Sequence, residues 1–229
     1  MAQIITVAQQ KGGAGKTTIA AHIAVSLSQT GRSVAIIDID PQGSLTNWHA
    51  LREQRFGIGY TGLNFISSAG WRVESAINNL RDDYDYVVID APPHTETESK
   101  TAIRSADLII IPMQASPTDL WATSTTIEFA QSENIPVKIL LNRFNPHAKL
   151  AKEIISQVTV EMFKNYLGNR VAFSTCFLTG IAVTESAPNS QAASEVKAVT
   201  QEILKIFANN LKNEKETLKA ENKRAIAKI

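Results

Sequence analysis

The sequence predicts an α/β fold: a doubly wound, mostly parallel sheet with helices on both faces. Three observations carry it. Short β-branched runs recur along the chain with apolar residues on both faces, as strands buried on both faces have. Helix-length segments separate these runs, which implies crossover connections and parallel pairing. A glycine-rich turn sits between the first run and the first helical segment.

Residues 4–8 form the first expected strand and residues 17–29 the first helix, closed by Gly31 just past its end. Strands are expected at 34–39, 86–89, 108–113 and 137–141, with weaker candidates at 63–67 and 171–176. Helices are expected at 73–81, 120–133, 150–167 and 190–211. No internal repeat and no low-complexity linker interrupts this alternation.

A chain of 229 residues suits one large domain. Hydrophobic residues make up 44% and charged residues 20%, the balance of a globular protein. The formal net charge of +1 gives no whole-molecule attraction to nucleic acid, so any DNA contact needs a local basic patch. Cys176 is the single cysteine, which rules out an intrachain disulfide and a four-thiolate iron–sulfur site within one chain. Polar Gln9-Gln10-Lys11 follows the first apolar run too soon for a signal peptide, and no apolar stretch approaches the roughly 18 residues of a membrane span. A soluble cytoplasmic protein is the expectation.

The segment Lys11-Gly12-Gly13-Ala14-Gly15-Lys16-Thr17-Thr18 carries the chemistry. It follows a strand and opens a helix, as a phosphate-binding loop must. Glycines let phosphate oxygens approach the backbone, and successive N–H groups with the helix N-terminus form an anion nest. Lys16 supplies a mobile point charge for β- and γ-phosphates, and the Thr17 hydroxyl is placed to ligate Mg²⁺.

Two acidic elements follow. Asp38 and Asp40, in Asp38-Ile39-Asp40-Pro41-Gln42, lie two apart at a strand end and point the same way. Tyr86-Val87-Val88-Ile89-Asp90 is an apolar strand ending in a carboxylate suited to hold Mg²⁺. Ala91-Pro92-Pro93 then makes a stiff loop, and His94 beside it reads as a solvent-facing residue.

Lysine at position 11, with Gln10 where the ordinary loop has glycine, resembles the deviant Walker A family of P-loop NTPases, which includes ParA-type and MinD-type ATPases. The Asp-x-Asp-Pro-Gln element and the Pro-Pro loop are similar too. The resemblance spans about residues 2–208 and implies an ATP- and Mg²⁺-dependent ATPase domain there, with 209–229 a basic helix or tail. It implies that Lys11 reaches across an ATP-bound homodimer to the other subunit's phosphates, that Asp40 orients or activates the attacking water, and that Asp38 lies near the Mg²⁺ shell. It implies that Asn142, after the strand 137–141, reads adenine. Pro188 and Asn189 resemble a second adenine-contacting segment, although Ser190-Gln191 stands where the family has glycine.

The resemblance settles nucleotide and dimer better than cargo. A small partition or positioning ATPase, binding DNA nonspecifically on the nucleoid and stimulated by a ParB-like or other adaptor, is the leading expectation; Ser116-Pro117-Thr118-Asp119-Leu120 is similar to the small plasmid-type members. Candidate DNA contacts are Arg143, Lys149, Lys152, Lys164, Arg170, Lys197, Lys205 and the tail lysines. A MinD-like membrane cycle is the alternative; Leu211, Leu218, Ala225 and Ile229 make a thin stripe without aromatic anchors, so no membrane partner is expected. A redox or amide-ligase member of the superfamily lacks its cysteines or its added substrate domain.

Overall fold

The computed structural model describes residues 1–93 and 97–226. β1 (Gln3–Val7), β2 (Val34–Asp38), β3 (Asn64–Ser67), β4 (Tyr86–Asp90), β5 (Leu108–Met113) and β6 (Val137–Leu141) form one parallel sheet in the order β3–β2–β4–β1–β5–β6. The helices are α1 (Lys16–Ser28), α2 (Ser44–Phe56), α3 (Val73–Leu80), α4 (Thr97–Arg104), α5 (Pro117–Ser132), α6 (Lys149–Ser156), α7 (Val171–Phe177), α8 (Val183–Ser186) and α9 (Gln191–Ile226).

Strand alternation divides the core in two. Ile5, Val7, Ile36, Val88, Ile110 and Leu140 pack beneath α1, α7 and α9. Ile4, Ile37, Val87, Ile89, Ile109 and Ile111 pack beneath α3, α4 and α5. Each such side chain, fully removed from water, contributes about 1.5–3 kcal/mol. In α9 the buried residues Ala192, Val196, Val199, Ile203 and Phe207 follow the helical spacing, and packing against the body ends at Phe207. The helix itself runs on without a break to Ile226.

Strand register positions the site. Val7 of β1 and Asp38 of β2 both pair with Asp90 of β4, so three strand ends stop level at the carboxyl edge of the sheet. The loops carrying the glycine turn and the acidic motifs leave from that edge.

Two expectations need correction. Residues 150–167 are not one helix: α6 stops at Ser156, and the following chain runs alongside β6. Ile139 N–H donates to Glu161 O at 3.0 Å, and Phe163 N–H and Leu167 N–H each donate back to β6 carbonyls at 2.9 Å. The β-branched Val158 and Val160 favour this extended path, which also covers the sheet's edge. Residues 171–176 are helix α7, not a strand; Phe173 and Cys176, three apart, share its buried face. Three helices escaped the sequence reading, α2, α4 and the short α8. Only Leu45 and Trp48 among α2's large apolar residues are buried, so its periodic signal is faint.

Candidate functional site

The turn between β1 and α1 departs from ordinary backbone at two glycines. Gly13 has φ +75° and Gly15 φ +95°, left-handed conformations that side chains resist. Gly12 and Gly13 are exposed, and a Cβ added at either would meet nothing within 4 Å, so the outer part of the turn is open to an approaching phosphate. A Cβ at Gly15 would instead run into Asn142 Nδ2. Asn142 donates from Nδ2 to Ala14 O at 2.8 Å and accepts Arg143 N–H at 2.9 Å. It therefore braces the loop against the end of β6, an arrangement absent from the sequence reading.

Lys16 is buried at the loop's end. Burial pulls its ammonium below the usual lysine value, while Asp90 and Asp40 pull the other way. Asp90 is fully buried, and neither carboxylate oxygen has a hydrogen-bond partner of good geometry. Burial pushes its pKa up to about 8, with the Asp38 and Asp40 charges adding to the rise; the nearby Thr17 hydroxyl and Lys16 act against it. A buried carboxylate left unpaired is costly. A divalent cation shared with the Thr17 hydroxyl would repay that cost, so the residues present fit Mg²⁺.

Asp38 is buried at the same edge, close enough for its charge to act on Asp90. Its Oδ2 accepts Thr46 N–H at 2.8 Å and the Thr46 hydroxyl at 2.7 Å, and its Oδ1 accepts Asp40 N–H at 3.1 Å. These bonds tie the start of α2 to β2 and hold the turn that carries Asp40. Asp38 thus uses three of its roughly four acceptor sites within the protein. Asp40 is half-buried at the same edge, and its Oδ1 accepts Gln42 N–H at 2.9 Å.

Lys11 reaches the start of α5. Its Nζ lies 2.6 Å from Asp119 Oδ1 and 3.1 Å from Thr118 Oγ1. Ser116 caps α5 by accepting Asp119 N–H at 3.2 Å, and Pro117 occupies the first turn. Asp119 itself is fully buried and accepts Gln114 N–H at 3.1 Å. The cation expected to act in trans is held here in cis.

Beside the loop opens a cavity of about 440 Å³. Gly15, Thr18, His22 and Asn142 line one part, and the segment from Leu167 to Ser174 lines another. Pro188 and Asn189 are not among its lining residues; they sit in an exposed turn, with Lys197 Nζ donating to Pro188 O at 2.8 Å. His22 and the 167–174 segment were missed because nothing local in the sequence marks them.

Of the candidate DNA contacts, Arg143, Lys149, Lys152, Lys164 and Lys205 are exposed. Arg170 is engaged by Glu195 through Nε, at 3.0 Å, and Nη2. Of the tail cations, Lys212 is exposed; Lys228, like His94, lies outside the described residues. Among the described residues no helix is long and apolar enough to cross a membrane.

Comparison with known proteins agrees with this geometry. Residues 5–183 match the model of the CobQ/CobB/MinD/ParA nucleotide binding domain. The maintenance of carboxysome distribution protein A of Halothiobacillus neapolitanus is 28% identical over 213 residues, covering 87% of this chain and 95% of that protein. The chromosome-partitioning ATPase Soj of Thermus thermophilus is 26% identical over 236 residues, covering 87% and 94%. The septum site-determining protein MinD of Pyrococcus horikoshii, solved with Mg-ADP, superposes with a TM-score of 0.76 at 19% identity, over 90% of this chain and 98% of that one. With the glycine loop, Lys16 and Asp90 assembled at one sheet edge and the match spanning residues 5–183 of 229, the chain belongs to the CobQ/CobB/MinD/ParA family of nucleotide-binding domains.

Proposed function

We propose that the protein is a weakly active ATP hydrolase that dimerises on binding ATP, holds DNA without sequence preference and positions a plasmid, chromosomal or protein cargo. The carrying observation is the left-handed glycine turn of 12–15, ending in buried Lys16, at the same sheet edge as the unpartnered Asp90 carboxylate. Loop amides and Lys16 bind the triphosphate, because both present positive ends to its oxygens. Thr17 and Asp90 hold Mg²⁺, which supplies charge neutralisation on the phosphates. Asp40 orients the attacking water. Lys11 leaves Asp119 and completes the partner's pocket, as a trans-acting cation does where charge builds on the transferred group.

The relatives named for partitioning and carboxysome distribution support a positioning role. The exposed cations Arg143, Lys149, Lys152, Lys164 and Lys205 are the proposed phosphate contacts, doubled in a dimer. A ParB-like or other adaptor stimulates hydrolysis, and the site of action is the cytoplasmic nucleoid.

The test is a DNA-binding titration with ATP, ADP and no nucleotide, repeated on anionic vesicles. The expected result is ATP-dependent DNA binding that falls steeply with salt and ignores sequence. Binding to vesicles in place of DNA would move the protein to a membrane cycle. Indifference to adenine nucleotides in both binding and assembly state would overturn the reading altogether.

A further inference from the structure

The sheet has two edges, and the chain treats them differently. Beyond β6, the segment 157–168 lies alongside and takes up outer backbone groups. Beyond β3 no segment follows among the described residues; β3 pairs with β2 alone. Ser68 N–H donates to Asp38 O at 2.9 Å, so Ser68 and Ile66, two apart, both turn their backbone groups toward β2. Successive residues of a strand turn these groups to opposite sides. Those of Phe65 and Ser67 therefore point out of the sheet, with no partner among the described residues. Such an edge is a template for another strand.

A groove of about 590 Å³ opens beside this edge. Ile66, Ser68, Ala76 and Asn79 line it, with Trp71 and Arg72 from the single turn Gly70–Arg72. Trp71 is 70% exposed. The Arg72 guanidinium stands 4.3 Å from its ring centroid. Among the described residues, Arg72 is the one charged side chain lining the groove, and no carboxylate pairs with it. Exposed tryptophan and arginine together are the residue types that anchor protein interfaces.

We propose that this edge docks an extended segment of a partner protein. The segment adds a strand to β3 through Phe65 and Ser67, lays an apolar side chain on Trp71 and Ile66, and sets a carboxylate against Arg72. Charge fixes that last choice, since the groove offers a cation and no anion. A second copy of this chain fits less well. Two four-residue edges, each about 13 Å long, fall short of the roughly 1,000 Å² that a stable interface buries. The identity of the partner rests on the function proposed above: it is the adaptor, and the Ser68 bond to Asp38 O joins its docking edge to the strand end that leads to Asp40.

The probe is a phage-displayed library of short random peptides, selected on nucleotide-free wild-type protein. Selected peptides should be rich in β-branched residues and carry an acidic residue next to an apolar one. Synthesised and titrated, such a peptide should bind Arg72→Glu and Trp71→Ala at least about tenfold more weakly; both positions are exposed, so the fold is kept. Hydrogen exchange should slow at the Phe65 and Ser67 amides on binding, while Ile66, already turned to β2, changes little. A selection that enriches nothing overturns the proposal. So do peptides that bind Arg72→Glu as tightly as wild type, or that leave the Phe65 and Ser67 amides exchanging as before. Protection of those amides in a wild-type dimer without peptide would give the edge to a second copy and overturn it too. If the protein ignores ATP while the peptide still docks, the function proposed above fails and the docking edge stands.

Discussion

At the phosphate end of the site, eight consecutive residues, 11–18, supply the loop, both lysines and the helix start. At the base end, the cavity draws on residues 15–22, 114, 142–143 and 167–174, brought together only by the fold. The first region presents backbone amides and fixed charges, which any triphosphate satisfies. The second presents side-chain polar atoms beside Phe173, which on the proposed reading would face the base. Grip and discrimination are therefore separable, and substitutions at the two ends should fail in different ways.

The largest effect is expected at Lys16. Lys16→Ala removes the buried charge opposite the phosphates, and removing one partner of a buried charge contact costs several kcal/mol, so nucleotide affinity should fall by about 10³-fold. Isothermal titration with ATP and with inorganic triphosphate should show equal losses, because the base plays no part. Affinity for ATP like that of the wild type would remove the phosphate end from the account.

Asp40→Ala comes next, and it separates holding from hydrolysis. If Asp40 orients water, turnover should drop about 10²-fold or more while ATP stays bound and the dimer persists. Unchanged turnover would return Asp40 to a structural role beside Asp38, whose bonds to Thr46 already explain the turn.

The lysine at the mouth of the loop gives a smaller, two-sided test. Lys11→Ala should bind ATP as a monomer by sedimentation. Asp119→Asn weakens the ion pair that keeps Lys11 in cis, so dimers should form at a protein concentration lower by up to about tenfold. A normal ATP dimer of Lys11→Ala would contradict the trans role; a shift of Asp119→Asn toward monomer would show that Asp119 serves the dimer and not the resting state.

The same division explains what could be read from the amino-acid order. Strands such as Val34–Asp38 and Leu108–Met113 announce themselves because burial on both faces demands apolar residues on both. The glycine loop and Asp90 are legible because their chemistry requires fixed types at fixed spacing. Asp38 was legible as a carboxylate and not as a clamp, since Thr46, its partner, sits eight residues away with no motif around it. The 157–168 segment was misread because its apolar residues suit a helix face as well as an edge-covering strand, and only the neighbouring β6 decides. Pro188 and Asn189 were placed by similarity of layout, yet the fold brings 167–174 to the cavity. Long-range packing, not local preference, builds the base end.

His22 gives the smallest effect and ties the base end to stability. In an unfolded chain its pKa is near 6.5; in the fold it lies at about 4, lowered chiefly by burial, with the Thr18 carbonyl and Glu185 pulling it back up. The folded state therefore binds fewer protons than the unfolded state between these values. Its contribution to stability is fully present above about pH 6.5 and is lost as pH falls toward 4, by about 2–3 kcal/mol at most. Asp90, raised to about 8, works in the opposite direction over the same range, so the signal must be read as a difference between variants. Denaturant unfolding of nucleotide-free wild-type protein and His22→Phe at pH 7.5 and pH 5 should show the variant losing less stability on acidification. Equal losses would mean that the ring takes up its proton without penalty, as an imidazole open to water does.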